Sequence, residues 1–327
     1  MKIAVLMMAL AVACATAWGQ KGLDAYQILR LPASAHAAAL GGANISLIED
    51  DATLALDNPA LLATVADRTL AAGYSSYLAG SKSLGASYVM AVGERHTVGL
   101  SASLTDYGSM DETNEAGVVT GSFAAKDMLF GARYSYLLSD RWVGGAALKM
   151  IYSRLGGYSS SALAVDVGLN YYDEYAGTSV SVLLKNVGVQ LSKFEDASED
   201  LPYDLQVGLT HHFVGSPFRV SVTMTDLVRW SSDYYYRADA SEGEESFGKR
   251  LFNHFVFGVD VLASERLYFS AGYNVRRARE LKAAGSSHGA GLSLGAGLQL
   301  ERFKLGLAYA KYHVSASSVM VNFAYVF

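Results

Sequence analysis

The sequence predicts an all-β fold: a 14-stranded antiparallel transmembrane β-barrel with a short N-terminal hatch segment. Three observations predict it. Apolar residues make up 51% of the chain, yet past residue 20 they sit mostly at alternate positions. No uncharged apolar run there approaches the roughly 20 residues of a spanning helix. The alternating segments are often 10 to 15 residues long, whereas soluble strands run to about 5–6 and tilted membrane strands need about 9–11. The connections between them alternate between long and short.

The N-terminus reads as an export signal over residues 1–19. Lys2 gives a basic start, Ile3 to Ala13 is uncharged and apolar, and small residues follow. Ala15-Thr16-Ala17 or Ala17-Trp18-Gly19 suits a signal peptidase. Ala11-Val12-Ala13-Cys14 loosely resembles a lipoprotein box, with Ala11 a poor first residue. Cys14 is the only cysteine, so an exported chain has no disulfide, no thiol catalysis and no Cys-based zinc site. Loss of the signal removes Lys2 alone and takes the net charge from −5 to −6. This mild acidity argues against nucleic acid as a partner.

Residues 20–67 lack period-two patterning and are expected to form a hatch or plug. They hold an alanine-rich stretch from Ser34 to Leu40, then Gly41-Gly42, the acidic turn Glu49-Asp50-Asp51, and Asp57-Asn58-Pro59-Ala60. A helical turn or two is expected over 60–66, with Pro59 near its start.

The barrel is expected over 68–327. In Phe218 to Thr225, Phe218, Val220, Val222 and Met224 share one face, and Arg219, Ser221 and Thr223 the other. Residues 162–171 place Leu163, Val165 and Val167 opposite Ala162, Ala164 and Asp166, so Asp166 is expected in the lumen. Lys126-Asp127 also falls inside a strand. Residues 289–300 set leucines against glycines in the same way.

Fourteen strands are expected: 68–78, 81–92, 95–106, 121–138, 141–155, 158–172, 175–186, 202–213, 216–230, 251–263, 265–278, 286–300, 301–313 and 315–327. Long connections (107–120, 187–201, 231–250, 279–285) all follow odd-numbered strands. Barrels of bacterial outer membranes have short periplasmic turns and long external loops, so both chain ends are expected in the periplasm. The final strand alternates Val319, Val321, Phe323, Tyr325 and Phe327 with smaller or polar residues and stops on an aromatic. Phe323, Tyr325 and Phe327 resemble the C-terminal signature of outer-membrane barrels. Closure is required because an open sheet edge in lipid leaves backbone groups unpaired.

Few constellations suggest chemistry. His211 and His212 are strand neighbours that face opposite sides, so they cannot chelate one ion together. Tyr234-Tyr235-Tyr236, close to Trp230, reads as an interface girdle or external loop. Glu195 to Asp200, and Asp239 with Glu242, Glu244 and Glu245, are acidic loop clusters. They are solvated, or hold divalent ions that bridge lipopolysaccharide. Arg276, Arg277 and Arg279 form a basic cluster that can meet lipid headgroups or sugar phosphates. No convincing serine–histidine–acid arrangement emerges, so neither an enzyme nor a cofactor is expected.

The segment Leu31 to Asn44, with Glu49-Asp50-Asp51 and Asp57-Asn58-Pro59-Ala60, resembles the start of the PorV/PorQ group within the FadL-like outer-membrane barrels. The hatch motif of those barrels corresponds to Asn58, Pro59 and Ala60. The likeness, strongest to PorQ-like members, continues through Gly121 to Asp127, Lys149 to Ser153, Tyr158 to Leu169 and Leu201 to Tyr203. His36 stands where a basic residue is expected. The resemblance implies a non-enzymatic barrel of the type IX secretion system. It would anchor a cell-surface attachment complex, with a PorZ-like surface protein and other attachment components as partners beside outer-membrane lipids and lipopolysaccharide. Transport of long-chain fatty acids or other hydrophobic compounds, as in the wider FadL-like group, is the alternative, and a general porin is a third.

Overall fold

The computed structural model describes residues 26–77, 80–114, 116–194, 199–230, 246–280, 289–313 and 316–327. The expected signal, Tyr234 to Tyr236, Glu195 and the acidic cluster from Asp239 to Glu245 lie outside them. Fourteen antiparallel strands close into one barrel, each paired with its sequence neighbours, and β1 meets β14. They are β1 (Thr69–Ser76), β2 (Lys82–Val92), β3 (His96–Thr113), β4 (Val119–Leu137), β5 (Trp142–Leu155), β6 (Tyr158–Asp173) and β7 (Thr178–Ser192). There follow β8 (Asp204–His212), β9 (Phe218–Met224), β10 (Phe255–Leu262), β11 (Leu267–Asn274), β12 (Leu292–Gln299), β13 (Phe303–His313) and β14 (Ala316–Val326).

Closure follows from the alternating pattern. Each strand puts apolar side chains outward, where Leu100, Leu148, Leu294 and Phe323 stay exposed. The inner face carries small or polar residues such as Ser135, Ser181, Asp166 and Ser293, all buried. Burial here is therefore inverted relative to a soluble domain: the polar side faces the protein's own interior.

All fourteen expected strands are present, and several differ in extent. β3 and β4 run past the expected loop 107–120 and meet at a turn where Gly117 N–H donates to the Asn114 carbonyl (2.8 Å). β7 continues to Ser192. β9 ends at Met224 instead of residue 230, and β12 starts at Leu292 instead of 286. Residues 251–253 belong to helix α3 (Phe247–Asn253), and 275–278 to helix α4 (Val275–Glu280). Both helices form where no neighbouring strand is available: the β10–β9 register stops at Phe255↔Met224, and β12 begins only at Leu292. An unpaired backbone then satisfies itself by helical hydrogen bonds. The Arg276–Glu280 pair, four residues apart at 2.9 Å, adds support to α4.

Connections after even-numbered strands span three to five residues. Those after β7, β9 and β11 are long, so one end of the barrel is flat and the other built up.

Before β1 the chain forms short elements: a 3-10 turn at Gln27–Arg30, helix α1 (Ala35–Ala39), helix α2 (Leu54–Asp57) and a 3-10 turn at Pro59–Thr64. They pack against the inner wall on opposite sides. α1 meets β11 to β14, and the Pro59–Thr64 turn meets β3 to β6. Leu40, Leu47, Leu54 and Leu61 form an apolar centre within this plug.

Candidate functional site

The lumen and its plug form the candidate site. Ser34 starts α1: its Oγ accepts from His36 N–H (3.1 Å) and Ala37 N–H (3.4 Å). The alanines that follow let the helix lie directly on the wall. A Cβ added at Gly295 would overlap that of Ala39, and one at Gly272 would strike the backbone at Leu40 and Gly41.

This packing delivers His36 into a buried ionic cluster. Its Nδ1 lies 2.6 Å from Glu49 Oε2 and its Nε2 lies 2.9 Å from Asp260 Oδ1 on β10. The ring stacks on Tyr268 of β11, with centroids 3.9 Å apart and planes 10° apart. Arg219 of β9 completes the set: its Nε donates to Asp260 Oδ2 (2.8 Å), and Nη2 lies 3.6 Å from Glu49 Oε1. Ser270 Oγ donates to Asp260 Oδ1 at 2.6 Å. Burial alone would lower the His36 pKa, but the charges of Glu49 and Asp260 outweigh it and push the value up to about 9. Glu49 shows the converse: burial would raise it, but His36 and Arg219 hold it below the usual carboxylate range. Two cations thus face two carboxylates, which offsets the desolvation of each.

Each residue of the acidic turn has its own task. Glu49 joins the His36 cluster. Asp50 is ion-paired with Lys304 of β13, whose Nζ also donates to the Asp50 carbonyl (2.7 Å). Asp51 accepts from Thr53 N–H and Oγ1, both at 2.7 Å, and caps the plug's own fold. Burial raises its pKa.

Asn58, Pro59 and Ala60 press on the opposite wall. Asn58 Oδ1 accepts from Ala60 N–H (3.0 Å), and its Nδ2 donates to the Ile45 carbonyl (2.7 Å). Pro59 occupies the first position of the turn, where its missing N–H costs nothing. Gly145 of β5 and Gly168 of β6 clear the space: a Cβ at either would overlap the Pro59–Ala60 peptide or Asn58 Oδ1. Lys185 of β7 pairs with Asp57 at 3.2 Å.

Asp166 lies fully buried on the inner face of β6. The β6–β7 register shifts beside it, between Val165 and Val167. Asn186, at φ 60°, donates its backbone N–H to Asp166 Oδ1 (2.7 Å), and Lys149 of β5 lies 2.7 Å from the same oxygen. The bulge is thus sealed by charge. Of the pair Lys126 and Asp127, Lys126 faces out beside Asp106 (3.1 Å), and Asp127 accepts from Tyr107 (2.7 Å).

Two cavities flank the plug. One of about 110 Å³ lies against β1 to β4. Ala71, Ala86, Ala102 and Leu129 give it apolar walls, and Arg133, Lys149 and Lys185 lie at its cationic end. The ladders β1–β2 and β2–β3 beside it pair without interruption. The other, about 430 Å³, is polar, with Arg30, Asp204, Asp226 and Arg276 in its lining.

His211 and His212 have separate partners: Thr178 Oγ1 for the first (2.8 Å), and the Ser216 carbonyl for the second (3.1 Å). Phe323 and Phe327 are exposed on the outside of β14, and Tyr325 makes an edge contact with Phe327 at 4.9 Å. Arg276 pairs with Asp226 (2.6 Å), and Arg279 donates to Asn253 Oδ1 (2.8 Å). Sequence reading left two of the four cluster members, Arg219 and Asp260, without a role. The available signal was a charge on the inner face of an otherwise uncharged stretch of strand.

No family model and no curated protein matches the chain. Solved structures do. The CymD monoaromatic hydrocarbon channel superposes with a TM-score of 0.57 at 14% identity, covering 92% of this chain and 98% of that one. The P. putida toluene transporter TodX gives 0.57 at 14%, covering 91% and 99%. A Pseudomonas aeruginosa FadL homologue gives 0.52 at 12%, covering 89% and 96%. The closed 14-stranded antiparallel barrel described here is the fold of these FadL-like outer-membrane barrels.

Proposed function

We propose that this chain is a plugged, non-enzymatic outer-membrane barrel of the type IX secretion system that anchors the cell-surface attachment complex. The observation that carries this reading is the fastening of the plug. Ion pairs tie it to β7, β9, β10 and β13, those to β9 and β10 buried, and glycines of β5 and β6 seat its other side. A plug held this way suits a static anchor. The sequence resemblance of residues 31–60 supplies the secretion context, and these are the residues that make the plug. On this reading the docking surface lies at the built-up end. There β3 and β4 stand beyond their other partners as a two-stranded ribbon: β2 pairs only to Asp106, and β5 only from Ala125.

Transport of a hydrophobic compound is the second reading. The solved neighbours are hydrocarbon channels and a FadL homologue, so the fold comparisons lean towards it. The 110 Å³ cavity, apolar with a cationic end, favours it as well. A deletion strain separates the two. The secretion reading expects cargo with C-terminal sorting domains to remain unattached or unprocessed while uptake of toluene and long-chain fatty acids is unchanged. Normal cargo attachment with impaired uptake would assign the chain to transport.

A further inference from the structure

The wall is low at β10 and β11. Each has eight residues, about 27 Å at ~3.4 Å per residue. A tilt of about 35–45° reduces this to roughly 20 Å of height, short of the ~25 Å apolar band of such barrels. Here the chain leaves strand geometry for α3 and α4.

The outward apolar stripe does not stop where the strand does. Phe257 stacks on Phe255 with centroids 5.7 Å apart, and Phe255 meets Phe252 of α3 at 5.9 Å. Phe247, one turn further, stacks on Trp230 at 6.0 Å. Phe247 is 65% exposed and Phe252 54% exposed. Between them stand Lys249 and Arg250. Arg279 of α4 donates to the Lys249 carbonyl (2.7 Å) and to Asn253 Oδ1 (2.8 Å), fastening the two helices.

We infer that α3 and α4 form an amphipathic shelf that completes the lipid-facing wall above β10 and β11 and holds lipid phosphates with Lys249 and Arg250. Two features commit the shelf to lipid. Its aromatic face is continuous with the lipid-facing stripe of β10. Its cations follow that stripe on α3: Lys249 is exposed, and Arg250 is half-buried with Nη1 donating to the Trp230 carbonyl (3.4 Å). Aromatic rings settle at the boundary between headgroups and acyl chains, and cations at that depth attract anionic lipid. The inference rests on the barrel crossing a membrane and on neither reading of its function.

The test uses the full chain in nanodiscs. Trp18→Phe and Trp142→Phe leave Trp230 as the reporter, since the chain has three tryptophans. Lipids brominated near the headgroup should quench Trp230 several-fold more than lipids brominated at the chain end. Phe247→Ser with Phe252→Ser should abolish that difference. Lys249→Glu with Arg250→Glu should reduce the preference for phosphatidylglycerol over phosphatidylcholine by about fivefold per charge. Heat-modifiable gel migration verifies that each variant is a closed barrel. A Trp230 that neither lipid quenches overturns the inference, and so does one shielded only by a protein partner. Unchanged lipid preference in the closed charge-reversed variant overturns the phosphate assignment.

Discussion

The two sides of this barrel solve the same problem differently. From β3 to β7 the strands have 14 to 19 residues, and from β8 to β12 they have seven to nine. On the tall side, β3 and β4 pair with each other well beyond their other neighbours, and the sheet outgrows any bilayer at about 65 Å of strand. On the low side, strand pairing ends early and helices take over. The plug mirrors this division. Against the tall side it sits mainly by close packing, Asn58 to Ala60 on the glycines of β5 and β6, beside the one Asp57–Lys185 pair. Against the low side α1 also sits on glycines, Gly272 and Gly295, and there His36 and Glu49 add a buried ionic cluster with Arg219 and Asp260. Glycine seats thus occur on both walls, and what the short wall adds is a cluster of buried ions.

This contrast predicts where the plug is most sensitive. Asp260→Ala leaves His36 and Arg219 facing one carboxylate in a buried site. The expected loss is about 3–5 kcal/mol, the cost of breaking a buried pair from one side. Urea unfolding in detergent measures it, and a loss below 1 kcal/mol would show that the cluster does not hold the low side.

Alkali should act on the same cluster. His36 has a folded pKa of about 9 against an ordinary 6.5. Its stabilisation is complete below about pH 6.5 and fades as pH rises through 9. The expected loss between pH 7 and pH 10 is about 2.5 kcal/mol. His36→Arg should flatten that dependence, because arginine stays charged.

On the tall side, Gly168→Ala forces a methyl against Asn58 and should destabilise the plug by about 1–3 kcal/mol without pH dependence. Asn58→Ala removes the acceptor for Ala60 N–H and the donor to the Ile45 carbonyl and should cost about 2–3 kcal/mol. Proteolysis of the plug reads both. Equal pH dependence in these variants and in Asp260→Ala would erase the distinction between packing and charge. The smallest effect belongs to the ribbon. Trimming the segment between Tyr107 and Ala124 to a short turn should change barrel stability by no more than about 0.5 kcal/mol. If the secretion reading holds, the same change removes the surface partner from pull-downs.

The wall was legible in the sequence because lipid enforces it. Each outward position must be apolar, so period two is written along 218–225, 162–171 and 290–300. Strand ends were less legible, since they depend on whether a neighbour is present to pair. Leu251-Phe252-Asn253 reads as strand by alternation but has no partner at that height and coils into α3. The polar residues after Tyr107 read as loop, yet β3 and β4 sustain each other there. His36 shows the same limit within the plug. Its sequence reads as a departure from a basic position, but burial beside Glu49 and Asp260 keeps it a cation. Those two lie 13 and 224 residues away, and only closure of the barrel brings the second into reach.

Ion conductance of the folded full-length chain in planar bilayers tests the central claim, that a plug held by glycine seats and by ion pairs closes the lumen. The account predicts no steady open-pore current from the native protein and a persistent current once residues 26–66 are removed. A steady open pore from the native protein would contradict it.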